Sequence, residues 1–205
     1  MIKNFVSINN EKTSDKLIKL NEKKMLGFWL YLMSDFIIFA CVFAVYFVIR
    51  SHSVLDSTLL QIKCNLDSIL IETILLLCSS VTCGVAVIAM SKQNIINTYI
   101  WIIATFIFGL SFVCIEFNEI LYFFKMGMQP SSHGFFSSVI TLLSMHIAHV
   151  IIGLIWMICI ILQNYYFKIN SSNYTNLVCL SFFWHFLDII WIILYTFIYF
   201  IGFNV

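Results

Sequence analysis

Five long apolar runs make up most of the sequence and decide what kind of fold the chain can adopt. Their approximate bounds are 25–49, 68–90, 98–124, 135–166 and 176–203. Each run exceeds the ~20 residues with which an α-helix crosses ~30 Å of hydrocarbon, at about 1.5 Å per residue. The sequence therefore predicts an all-α integral membrane protein, a bundle of five transmembrane helices.

The composition agrees with a membrane location. Of the 205 residues, 61% are hydrophobic and only 10% are charged, whereas a soluble domain has about 25% charged residues. A water-soluble fold of this size could not bury so much apolar surface. The net charge of +1 and the lack of a general basic surface give no indication of a nucleic-acid partner.

The basic residues predict the orientation of the bundle. Residues 1–24 are expected to form a polar cytoplasmic tail, and residues 25–205 a single five-helix membrane domain. Six of the eleven basic residues lie in that tail, and further lysines follow the second and fourth runs. Because basic residues accumulate on the cytoplasmic side, we expect a cytoplasmic N-terminus and a periplasmic C-terminus.

Ionisable side chains within the spans are the candidate functional residues. Three pairs repeat an i, i+3 spacing that places both members on one helix face. Such groups are costly in lipid and normally face other helices, so we expect these faces to point inward. Interhelical polar bonds in membranes average ~0.6 kcal/mol and reach ~1.7. We interpret the pairs as a structural polar clamp made of Glu116, Glu119, His146, His149, His185 and Asp188.

Two carboxylates differ from these pairs because each is the only charge on its span. Asp35 lies in the first run and Glu72 in the second. An isolated carboxyl group in apolar surroundings is favoured as the neutral acid. Each needs a partner on another helix, on another subunit or in a lipid head group. We regard both as possible lipid-binding or proton-related carboxylates.

Metal or haem ligation is a weaker interpretation of the same residues. Di-metal carboxylate bundles place Glu and His together at i, i+3 on one helix, in two copies. Here the glutamates, the two histidines and the His–Asp pair lie on three different spans. His146 and His149 share one face and could not clamp one haem between them. We therefore predict no catalytic, cofactor-binding or metal-ligating residue in this chain.

A proton path is the alternative function. Membrane carboxylates often mark relays, so the chain could be an autonomous five-helix proton-coupled transporter that uses Asp35, Glu72 or the His–Asp pair. The sequence shows no inverted repeat and no Gly- or Pro-interrupted spans of the kind that transporters use.

Several motifs together carry a family resemblance. The last run contains Trp184-His185-Phe186-x-Asp188-x-x-Trp191, and the fourth contains His146-x-x-His149-Val150-x-x-Gly153. Glu116-x-x-Glu119, the Glu72-Thr73 run and the segment from Gly27 to Asp35 add matches in the remaining spans. Taken together along the chain, these motifs resemble those of subunit III of the haem-copper respiratory oxidases, the cytochrome c oxidase subunit III family. The five spans and the short polar tail resemble its cytochrome o ubiquinol oxidase branch.

The resemblance implies a function that composition cannot indicate. It implies a non-catalytic subunit III of a proton-pumping ubiquinol oxidase in the aerobic respiratory chain of a bacterial inner membrane. The haems and copper are then expected in the catalytic subunit I, with subunits II and IV as further partners. This chain is expected to bind no redox cofactor, to bind phospholipid, and to support assembly and stable turnover.

Overall fold

The computed structural model describes residues 2–52, 66–125, 134–167 and 171–197, with side chains described within 19–50, 70–125, 134–163 and 173–197. These residues form the helices α1 (Ile2–His52), α2 (Leu66–Ser91), α3 (Ile95–Lys125), α4 (Gly134–Phe167) and α5 (Ser171–Tyr195). Each contains a stretch long and apolar enough to cross a membrane. The prediction of an all-α membrane protein with five spanning helices is confirmed, and the side on which each terminus lies stays a prediction.

Helix α1 is longer than the first apolar run. It begins at Ile2, so the segment predicted as a polar tail continues the first spanning helix without a break. Neither glycine nor proline occurs in the first 24 residues, and the helix therefore meets no residue that would end it. The part of α1 that can cross a membrane is Lys19–Arg50.

A tight turn joins α2 to α3 and makes them an antiparallel pair. Gln93 adopts a left-handed backbone with φ of 57°, the conformation that commonly ends a helix. Its amide donates to the Met90 carbonyl at 3.0 Å, and the Asn94 amide donates to the Ala89 carbonyl at 3.2 Å. The Asn94 carbonyl in turn accepts the first bonds of α3, from the Thr98 amide and hydroxyl. Residues equally far from the turn along α2 and α3 thus lie side by side.

Helix α5 occupies the centre of the bundle and packs against α1, α2 and α4. Its Trp184 side chain touches three helices at once. The indole Nε1 donates to Ser79 Oγ of α2 at 2.8 Å. The ring lies over Gly109 of α3 and Gly153 of α4, where a Cβ atom would come within 2.9 Å of the indole carbons. The two glycines therefore provide the space that Trp184 fills.

Trp191 repeats this arrangement two turns later on α5. Its Nε1 donates to Thr73 Oγ1 of α2 at 3.2 Å. Its ring lies edge-on to Phe112 of α3, with centroids 4.9 Å apart, and 5.4 Å from the ring of His146 on α4. Both tryptophans are almost fully buried, so α5 fixes the positions of α2, α3 and α4 around it.

Helix α1 lies at the edge of the bundle, against α4 and α5. Phe28 stacks edge-on against Trp156 of α4, with centroids 5.8 Å apart. Arg50 donates from a guanidinium nitrogen to the Phe197 carbonyl at 3.1 Å. Between these contacts α1 and α5 are separated by two adjoining grooves that open to the outside of the bundle.

Candidate functional site

Three carboxyl groups meet between α2 and α3. Glu72 of α2 and Glu116 and Glu119 of α3 each offer an oxygen atom, and these atoms lie within 4.8 Å of one another. Glu72 and Glu116 are 0% and 2% exposed. The α2–α3 turn explains this carboxylate trio, because Glu72 precedes the turn by about as many residues as the two α3 glutamates follow it. The partner that Glu72 needed on another helix is therefore the α3 pair.

The trio cannot carry three negative charges at this spacing without compensation. Like charges so close in an apolar environment disfavour the ionised forms, and neither Glu72 oxygen has a hydrogen-bond partner among the described residues. Either protons on the carboxyl groups or a bound divalent cation, with water completing its coordination shell, would compensate this charge.

A second polar contact joins α1 to α4. His149 Nε2 lies 3.4 Å from Asp35 Oδ2. The other imidazole nitrogen, Nδ1, lies 2.8 Å from the Met145 carbonyl. A carbonyl oxygen can only accept, so Nδ1 carries a proton, and a neutral His149 would have an unprotonated Nε2.

His146 is placed differently from His149, although the two residues are one helical turn apart. It is 0% exposed, and its ring lies between Phe112 of α3 and Trp191 of α5. Neither of its nitrogens has a hydrogen-bond partner among the described residues. In this structure His146 acts as an aromatic packing residue rather than as a member of a polar contact.

The His185–Asp188 pair does not lie wholly inside the bundle. The side chain of Asp188 is 8% exposed, whereas that of His185 is 45% exposed. Nδ1 of His185 and Oδ2 of Asp188 are 3.9 Å apart, and Oδ1 of Asp188 has no hydrogen-bond partner among the described residues. The expectation that all three i, i+3 faces point inward is wrong for His185, because the ring lies on the outer side of α5 and lines one of the two grooves.

The comparison with known proteins gives the family. The family model described as "Cytochrome c oxidase subunit III" matches residues 6–203. The chain belongs to the cytochrome c oxidase subunit III family. The match covers all five helices, so the resemblance predicted from the motifs is confirmed.

Individual members of the subunit III family show the same relationship. The chain is 42% identical over 200 residues to the cytochrome bo(3) ubiquinol oxidase subunit 3 of Buchnera aphidicola subsp. Acyrthosiphon pisum, covering 97% of this chain and 96% of that protein. It is 42% identical over 180 residues to the protein of the same name from B. aphidicola subsp. Baizongia pistaciae, covering 88% and 92%. The subunit of this name from Pseudomonas aeruginosa is 40% identical over 178 residues, covering 87% and 85%.

Several residues that organise this subunit III bundle were not among the predicted site residues. Thr73 and Ser79 accept the indole bonds of α5. Thr82 of α2 and Thr105 of α3 form a further buried hydroxyl contact of 2.9 Å. A signal for the first two exists in the sequence, because a buried tryptophan usually finds an acceptor for its N–H. The sequence alone does not say which hydroxyl residue supplies it.

Proposed function

We propose that this chain is the non-catalytic subunit III of a proton-pumping haem-copper ubiquinol oxidase of cytochrome o type. The observation that carries the proposal is the match to relatives named cytochrome bo(3) ubiquinol oxidase subunit 3 along nearly the whole bundle. These relatives support the oxidase-subunit function and not the autonomous transporter. The role is to support assembly and stable turnover of the catalytic subunit in the bacterial inner membrane.

The chain's partners and cofactors follow from the same proposal. Its protein partners are the catalytic subunit I, which holds the haems and copper, and subunits II and IV. The lysine-rich N-terminal segment supports a cytoplasmic N-terminus and a periplasmic C-terminus. The chain itself binds no redox cofactor.

Phospholipid is the ligand that we assign to this chain. One of the two grooves between α1 and α5 has a volume of about 310 Å³ and only apolar walls, which include Ala40, Phe43, Ala44 and Ile193. We refer to it as the Phe43 groove. Its chemistry suits an acyl chain, because the described residues that line it offer dispersion contacts and no hydrogen-bonding side chain.

The polar residues take two structural roles in this proposal. Asp35 with His149 clamps α1 to α4, and the buried Asp188 carboxylate lies beside His185 on α5. The trio of Glu72, Glu116 and Glu119 places three carboxyl groups within 4.8 Å of one another between α2 and α3, and protons on these groups relieve the repulsion between the two helices. His146 contributes to the clamp by packing, and His185 faces outward.

Affinity purification of the tagged chain tests the proposal. Purified from mildly solubilised native membranes, the chain should bring with it a haem-containing partner and ubiquinol oxidase activity. Expressed and purified alone, it should show no haem absorption in the visible spectrum. Haem or copper bound in stoichiometric amount to the isolated chain, or failure to retain any haem-containing partner, would contradict the proposal. Proton flux in liposomes containing this chain alone would favour the transporter instead.

A further inference from the structure

The second groove between α1 and α5 has an ionisable residue in an otherwise apolar wall. It has a volume of about 400 Å³, and its lining includes Leu32 and Met33 of α1 and Phe182, His185 and Ile189 of α5. We refer to it as the His185 groove. Among the described residues, His185 is the only ionisable one in its lining, and its side chain is 45% exposed.

The depth of His185 makes this exposure costly. The residue lies nine positions after Asn176 and eighteen before Phe203, the approximate ends of the fifth apolar run. At about 1.5 Å per residue, it is about 14 Å from the nearer end of the run. An imidazole at this depth faces hydrocarbon, where a polar group without a partner is strongly disfavoured.

The described residues satisfy His185 only in part. Asp188 approaches Nδ1, but the distance of 3.9 Å is too long for a hydrogen bond. Asp188 is also turned toward the interior of the bundle, since its side chain is only 8% exposed. Nε2 of His185 is thus left for a partner that comes from outside the chain.

The position of the groove selects the class of partner. A lipid head group would have to cross about 14 Å of hydrocarbon to reach the imidazole, nearly half the thickness of the bilayer core. An acyl chain reaches this depth but has no hydrogen-bonding group. A transmembrane helix reaches it, packs on the apolar walls, and can carry one polar side chain at the required level.

We propose that the His185 groove is the docking surface for a transmembrane helix of a partner subunit. That helix is apolar where it meets Met33, Phe182 and Ile189, and it presents one hydrogen-bonding side chain to His185 near mid-membrane. The inference rests on the proposed function, which supplies membrane-embedded partners. It goes further by naming the surface on this chain and the chemistry that the partner must offer.

Site-specific photocrosslinking in the intact complex tests the docking surface. Benzoylphenylalanine is placed at Ile189 in the His185 groove, at Met33 on its α1 wall, or at Ile107 on α3. Ile107 is a matched control, because it and Ile189 are both 56% exposed in the chain. Illumination of native membranes should crosslink positions 189 and 33 to a segment of one partner polypeptide, identified by mass spectrometry, and should not crosslink position 107 to that segment. Crosslinks from 189 and 33 to phospholipid only, in a complex that still purifies intact, would overturn the inference.

A pair of substitutions tests the polar contact itself. His185→Gln keeps a hydrogen-bonding group, whereas His185→Phe keeps only a ring. Relative to the Gln variant, the Phe variant should lower the crosslink yield from position 189 by about threefold or more, the effect of one interhelical polar bond. Equal yields in the two variants would mean that the groove packs a partner without the proposed bond, and would overturn that part. If the unsubstituted chain retains no haem-containing partner, the proposed function fails instead.

Discussion

Helices α5 and α1 have similarly apolar spanning segments but are held in the bundle by different means. The most apolar part of α5 is 61% buried within the chain, and that of α1 is 28% buried. Two tryptophans join α5 to three neighbouring helices by hydrogen bonds, glycine contacts and ring stacking. Helix α1 relies on the Asp35–His149 contact, on buried aromatic side chains such as Phe39 and Tyr46, and on two bonds to the Phe197 carbonyl near its end.

The difference teaches that hydropathy identifies a spanning helix but does not indicate what fixes it. An enclosed helix such as α5 is positioned by the shapes of its neighbours. A peripheral helix such as α1 is positioned by one narrow buried face and isolated polar contacts, and it keeps surface free for lipid or another subunit. Substitutions in the two helices should therefore differ in how much they destabilise the complex and in how many helices they affect.

The largest effect is expected where shape alone fixes α5. Gly109→Ala places a Cβ 2.9 Å from the Trp184 ring, which cannot move away because Gly153 lies against the same indole. We expect a loss of about 2 kcal/mol in the free energy of unfolding of the complex, the usual range for an overpacked core. Gly84→Ala is the control, because a Cβ at Gly84 meets nothing within 4 Å. If the two variants were equally stable to heat, the claim that the shapes of its neighbours position α5 would be wrong.

A smaller effect is expected from the indole hydrogen bond. Ser79→Ala removes the acceptor of Trp184 Nε1 and leaves a buried N–H without a partner, which should cost about 1 kcal/mol. Ser91→Ala is a matched control on the same helix, since its exposed hydroxyl bonds only to the Ile88 carbonyl. Chemical unfolding in mixed micelles measures both variants. A loss of stability in the control as large as in Ser79→Ala would show that the indole bond has no special role.

The contact between α1 and α4 should show a still smaller but local effect. In a double-mutant cycle of Asp35→Ala and His149→Ala, we expect a coupling free energy of about 0.6 kcal/mol, the average for polar contacts in membranes. Amide hydrogen exchange should rise in α1 and stay unchanged in α5. Strictly additive effects, or equal increases in both helices, would show that the pair does not hold α1.

The smallest effect is expected at the carboxylate trio. Glu72→Gln preserves the shape and hydrogen-bonding capacity of a protonated carboxyl group, so assembly of the complex should change by less than about 0.5 kcal/mol. The yield of haem-containing complex measures this. If the Gln variant fails to assemble, Glu72 is ionised and paired with a cation. The description of the trio as protonated carboxyl groups is then wrong.

The sequence predicted the elements of this fold better than their contacts. Run length and hydropathy identify a spanning helix because a bilayer requires both, and the five predicted spans correspond to five helices. The i, i+3 spacing correctly places Glu116 and Glu119 on one face. It could not show that this face meets Glu72, because that depends on the α2–α3 turn at Gln93.

The histidines show the same limit more clearly. His146 and His149 have the spacing of a shared site, yet one packs between aromatic rings and the other meets Asp35. His185 has the sequence context of a buried residue and lies at the surface of the chain. Helical periodicity tells which residues share one face of a helix. Which face points to the centre of the bundle depends on contacts with other helices, such as those of Trp184 with Gly109 and Gly153.

The most direct test of the central claim compares the complete oxidase with a complex that lacks only this chain. If the chain is a non-catalytic subunit, the depleted complex should keep its haem spectrum and its initial rate of ubiquinol oxidation. Its activity should then decay with a shorter half-life during turnover, and adding back the purified chain with phospholipid should restore the half-life. Loss of haem, or of the initial rate, in a depleted complex that otherwise remains assembled would contradict the account.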